Sequence, residues 1–224
     1  MHTTAESALI IRFIEIEDIN AVAAIHQASF HDRALTQLGP GSIKRYYYWL
    51  LTGFSDIFPL CVVDQKNNML GYCFSGIYAG SFSGFLKAYK WYLMAVLITK
   101  PWLIFNSIVA DRISLSIRTL LKILKKQTKK KEETTKNNKK QQESIKTTSL
   151  GILSIAVNPN YQRQGVGELL MREVECLALA NGYSELHLSV EPENIPATKF
   201  YEKLGWYKIP SDSDWNGQMA KNLI

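Results

Sequence analysis

Residues 150–182 constrain this chain more than any other stretch. "LGILSIAV" (150–157) is a continuous apolar run and reads as a strand. "NPNYQRQGVG" follows, with Gly165 and Gly167 one residue apart. Beyond it Val166, Leu170, Val174 and Leu177 recur on one face of a helix over about 165–181, and Asn181-Gly182 reads as its C-cap. A strand, a tight glycine turn and a helix N-terminus together make a seat for an anion. Exposed amides point at the ligand, and the glycines let the backbone approach it without Cβ clashes.

The rest of the chain alternates strands and helices. "ALIIRFIEI" reads as a first strand. "EDINAVAAIHQASF" reads as an amphipathic helix with Ile16, Ile19, Val22, Ala23 and His26 on one face. His26 is read as a packed core histidine rather than a catalytic one. "GSIKRYYYWLLTGF" reads as a second helix, and "FPLCVVDQKNNMLGYCFSGIY" as a hairpin around Asn67 and Asn68. After the glycine turn come a strand, "SELHLSV", and a short helix, "NIPATKFYEKLG", with Pro196 in its first turn. "WYKI" and "QMAKNLI" are the closing strands. The pattern is that of one α/β domain over residues 1–224, a length that allows a sizeable core.

An insertion interrupts this pattern, and the charge shows it. Residues 82–147 carry 15 Lys and Arg against 4 Asp and Glu, a net of +11, while the remainder is −5. Residues 80–127 are apolar and aromatic, and read as a helical insertion broken at Pro101. Its uncharged runs are too short to span a bilayer. Trp91, Tyr92 and Trp102 mixed with lysines suit a helix packed on the domain, a dimer contact, or a helix lying at a membrane surface. Residues 128–148 are Lys-rich and have one aliphatic residue, Ile145, so they read as a disordered loop. Nothing there interleaves aromatics for nucleic-acid stacking. Cys61, Cys73 and Cys176 are scattered and four histidines are dispersed, so neither a disulfide framework nor a metal site is expected. No signal-peptide pattern opens the chain, and a cytoplasmic protein, with membrane association open, is expected.

Three glycine loops compete. The nucleotide P-loop needs Gly-Lys-Ser/Thr, but Glu168 and Leu169 follow Gly167. The dinucleotide loop needs a third glycine where Leu170 stands. The third is the acyl-CoA loop, Gln/Arg-x-x-Gly-x-Gly/Ala, which Gln162-Arg163-Gln164-Gly165-Val166-Gly167 matches. A second signature, Asn-x-x-Ala-x-x-Phe-Tyr-x-x-x-Gly-Phe, reads here Asn194 to Trp206, with Trp206 for the final Phe. In both motifs, their order and their separation, residues 149–210 resemble the GNAT N-acetyltransferases, bacterial-type members with a basic, aromatic insert before the CoA-binding strand.

That resemblance implies a mixed, mostly antiparallel central sheet flanked by helices, and acetyl-CoA as co-substrate. It implies an acyl-CoA site formed by Ile155, Ala156, Val157, Gln162, Arg163, Gln164, Gly165, Val166, Gly167, Glu168 and Asn194. Ile155 and Val157 would bond the pantetheine arm through their main chain. Tyr201 would lie near the sulfur as the acid that protonates the leaving thiolate. Family members often carry a basic carboxylate on the two central strands, where this chain has Gly151 and Ser189. Strand alternation puts His187, Ser189 and Glu191 on one side, so Glu191 or His187 is the candidate base, with Glu193 behind them. The amine arriving already neutral is the other route. The expected acceptor is the primary amine of a small molecule, an amino sugar first. A protein N-terminus is second. A non-catalytic acyl-CoA-binding module docking on a membrane or an acidic partner is the reading from another class.

Overall fold

The computed structural model describes residues 9–53, 57–77, 81–104, 149–211 and 214–223. A seven-stranded sheet runs in the order β1 (Ile10–Phe13), β2 (Ile57–Val63), β3 (Met69–Gly76), β4 (Ser149–Val157), β5 (Glu185–Ser189), β7 (Gln218–Asn222), β6 (Tyr207–Lys208). Every neighbouring pair is antiparallel except β4 with β5. This is the mixed, mostly antiparallel sheet expected from the motifs.

One face of the sheet is covered by α1 (Ile19–Ser29) and α3 (Pro40–Gly53), with the short α2 (Ala34–Gln37) between them in the chain. Val22, Ala23, Ile43, Tyr47 and Leu50 pack there against Tyr72 and Phe74 of β3. Ile16 is not part of this face. It lies in a 3-10 turn, Ile16–Asp18, before α1 begins, and is 54% exposed. The break comes from Asp18, whose carboxylate takes the Glu15 amide at 2.9 Å and two guanidinium bonds from Arg12.

Residues 81–104 pack beside α3. α4 (Ser81–Ala88) and α5 (Lys90–Thr99) are followed by a 3-10 turn, Pro101–Ile104. Phe85 and Leu93 are buried in the α1–α3 core. These elements lie within residues 80–127, read from the sequence as a helical insertion. The rest of it, and the Lys-rich stretch 128–148, lie outside the described residues. The opposite face of the sheet is covered by α6 (Val166–Ala180) and α7 (Ile195–Lys203). Val166, Leu170, Met171 and Val174 bury the stripe that the glycine-turn helix presents. α6 ends at Ala180 with Gly182 in the left-handed region at φ 81°, as a C-terminal glycine does.

Candidate active site

The site begins where two parallel strands part. β4 and β5 are paired at Ser149–Glu185, Leu150–Leu186 and Gly151–His187, and the pairing stops there. β4 continues to Val157 bound only to β3, with a bulge that leaves Leu153 unpaired between Ile152 and Ser154. Past the bulge the Asn158 amide donates to Leu70 of β3 at 2.8 Å. Backbone direction alternates along a strand, so the main chains of Ile155 and Val157 face away from β3, into the gap beside β5. A strand edge in that state accepts an extended ligand as it would another strand. The Val157 carbonyl accepts from Gln162 Nε2 at 3.3 Å and from Ser29 Oγ at 3.4 Å.

The glycine loop closes the end of that gap. A 3-10 turn, Pro159–Tyr161, is capped by Asn158, whose Oδ1 accepts the Asn160 amide. Arg163 and Gly165 both have positive φ, 60° and 83°, on either side of Gln164. Left-handed residues alternating with right-handed ones turn successive amides toward one point, an anion-binding concavity. The side chains of Gln162 and Gln164 fold back onto the carbonyls of Val157 and Asn160, so the bracing of the loop is internal. The two glycines differ in purpose. A Cβ at Gly165 would meet nothing within 4 Å, which leaves open space above the N-terminus of α6. A Cβ at Gly167 would lie 3.3 Å from Phe200 and 3.6 Å from Val157, so this glycine lets α6 sit against α7 and β4. Glu168, in the first turn, ion-pairs with Arg172 at 2.6 Å along the helix, which offsets its repulsion of an anion.

α7 supplies the other side. Asn194 is its N-cap and accepts the Ala197 amide at 3.2 Å, with Pro196 in the first turn. Tyr201 is buried at 8% exposure, and its ring packs against Phe200 and Trp206. Burial, and secondarily Cys73, push its phenol above the usual value, so it stands protonated at neutral pH. Trp206, the residue that departs from the motif, is buried and fills the place of the smaller ring.

The sequence model of the Acetyltransferase (GNAT) family matches residues 120–206. The fold agrees with it along the whole chain. PaiA N-acetyltransferase from Thermoplasma acidophilum, solved with coenzyme A, superposes with a TM-score of 0.55 at 14% identity, covering 96% of this chain and 99% of that one. The ribosomal-protein-S18-alanine N-acetyltransferase of Escherichia coli gives 0.53 at 16% identity over 96% and 94%. The GNAT family N-acetyltransferase YhbS of Escherichia coli, in complex with CoA, gives 0.53 at 13% over 100% and 86%. At these identities the structures speak for the fold alone. Residues 120–206 match that family's model, and the fold is the one these N-acetyltransferases share. No curated protein matches the sequence.

The two candidate bases sit in different settings. His187 is on β5, and Leu186 and Leu188 beside it face α6, so its ring is on the other face of the sheet. Its Nε2 lies 2.8 Å from Glu185 Oε2. Glu191 lies past the end of β5 at Ser189, in the segment before α7, so strand alternation does not extend to it. Its carboxylate is ion-paired with Arg33, from the segment between α1 and α2. The expected grouping of the two on one strand face therefore does not hold. Arg33 and Ser29 are contributions that local patterning does not signal, because each is brought in by a distant element, whereas Glu185 is two residues from His187 on the same strand face.

A buried polar cluster was also invisible in the sequence. His26, as expected, is packed in the core, and its Nδ1 lies 2.8 Å from the Tyr47 hydroxyl. That hydroxyl is 2.7 Å from Tyr72 Oη and 2.9 Å from Ser154 Oγ, which joins α1, α3, β3 and β4. Burial, then the charge of Arg33, push the His26 pKa down to about 4, so the ring is neutral. Among the described residues no group of His, Cys, Asp and Glu could hold a metal, and no helix is long and apolar enough to cross a membrane.

Proposed function

We propose that this enzyme transfers an acetyl group from acetyl-CoA to the primary amine of a small molecule, with an amino sugar the first candidate. The observation that carries the reading is the unpaired edge of β4 beyond Gly151, leading directly into the left-handed glycine loop at the start of α6. In this reading the main chains of Ile155 and Val157 hold the pantetheine arm, with Ala156 between them. The loop from Gln162 to Glu168, through its amides and the positive end of α6, holds the pyrophosphate. Asn194 lies beside the arm.

Both substrates bind together, so positioning converts attack into a unimolecular step. The amine nitrogen forms a bond to the thioester carbon, its proton passes to His187 or Glu191, the C–S bond breaks, and the thiolate takes the proton of Tyr201. His187 with Glu185 at its Nε2 has the form of a base oriented by a carboxylate. His187→Gln and Glu191→Gln separate the two: the one that acts as base should lose about a hundredfold or more in turnover. If neither does, the amine arrives neutral.

Thermal shift with acetyl-CoA tests the reading. Wild type should be stabilised, and Gly165→Trp, which fills the space above α6, should not be. A folded wild type that shows no shift overturns the assignment. A protein N-terminal amine is the second acceptor, since one of the similar folds acts on ribosomal protein S18. Peptide acetylation without sugar acetylation would reverse the order. The same reading places a peripheral membrane contact in residues 82–127 and the enzyme in the cytoplasm.

A further inference from the structure

We propose that the outer face of α5 docks on an anionic lipid bilayer, an inference that names the partner of the peripheral contact just described. Trp91, Met94 and Ile98 recur at helical spacing on one face and are 71%, 51% and 76% exposed, and Trp102, in the 3-10 turn after the helix, is 62% exposed. Three large apolar side chains on one helix face form a patch that water does not favour. The inner face is fixed. Leu93 and Phe85 are buried, the Arg45 guanidinium stacks 3.8 Å from the Tyr92 ring centroid, and Tyr92 Oη lies 3.5 Å from Ser42 Oγ. The outer residues are thus presented by an anchored helix.

Charge selects the occupant. Residues 81–104 contain no Asp or Glu and three lysines. Lys87 and Lys90 are exposed beside the line, and Lys90 Nζ stands 5.3 Å from the Trp91 ring centroid. A second copy meeting this face about a two-fold axis would bring its own lysines against these. A bilayer surface with anionic headgroups meets the lysines with opposite charge and takes indole rings at headgroup depth. α5 has ten residues, which suits a helix lying in the interface and not one crossing it.

Flotation of the full chain with phosphatidylcholine vesicles, and with vesicles containing about one quarter phosphatidylglycerol, tests this. The full chain should float with the anionic vesicles and not with the neutral ones. Trp91→Ser with Ile98→Ser, and separately Lys87→Glu with Lys90→Glu, should each lower binding by about tenfold or more. Melting temperature and the acetyl-CoA shift should stay as in wild type, which separates failure here from failure of the acetyl-CoA reading. The Lys pair is solvent-exposed and keeps the test valid should the Trp–Ile variant not fold. No flotation, or flotation that neither pair reduces, overturns the proposal. So does a dimer that the Trp–Ile variant dissociates in the absence of vesicle binding.

Discussion

Tyr201 and His26 are both buried, and burial acts on them in opposite directions. A buried phenol holds its proton more tightly, so Tyr201 keeps a proton to give. Tyr201→Phe removes only the hydroxyl from the ring packing with Phe200 and Trp206. It should lower turnover by about a hundredfold or more while leaving the melting temperature within a few degrees. A buried imidazole sheds its proton. His26 titrates at about 4 when folded and near its usual 6.5 when unfolded. The unfolded chain therefore binds the extra proton first. The stability it contributes is whole above pH 6.5 and is lost as the pH falls toward 4, by roughly 3 kcal/mol in all. Urea unfolding at pH 7 and pH 4.5 should show most of that loss, and His26→Gln should show much less. The motif spacing made Tyr201 legible in the sequence. The neutrality of His26 was not, since it depends on burial by the packed core and on the charge of Arg33 from another segment.

At the scale of elements, the loop and the two helices beside it carry the proposed site. Asn194 caps α7 through one bond to the Ala197 amide, and α7 carries Tyr201. Asn194→Ala should cost about 1 kcal/mol in unfolding experiments. Strand β4, the glycine turn, α6 and α7 were all readable, because each follows from periodicity and turn chemistry over a few residues. Two boundaries were not. α1 starts at Ile19 and leaves Ile16 in water, since Asp18 engages Arg12 and the Glu15 amide. β5 stops at Ser189, where its last pairing is with Gln218, and this removes Glu191 from the strand.

Across the whole molecule, the Arg33–Glu191 pair ties the α1–α2 segment to the segment between β5 and α7. Both side chains are substantially exposed, so the pair contributes little to global stability. Arg33→Ala should change unfolding free energy by less than about 1 kcal/mol. It should still speed hydrogen exchange in residues 30–38, read by mass spectrometry. Unchanged exchange there would mean that the pair does not hold the segment.

By itself the sequence determined the α/β class, the strand–loop–helix order around the glycines, the second motif with Asn194 and Tyr201, and the basic stretch 82–147. These are local properties: side-chain period, glycine freedom and charge within a window. Only the tertiary structure decided that β4 and β5 separate after Gly151 and that Arg33 reaches Glu191. It also decided that Ser29 reaches the Val157 carbonyl 128 residues away. Such contacts depend on strand register and helix packing across the chain, and no short window of residues carries that information.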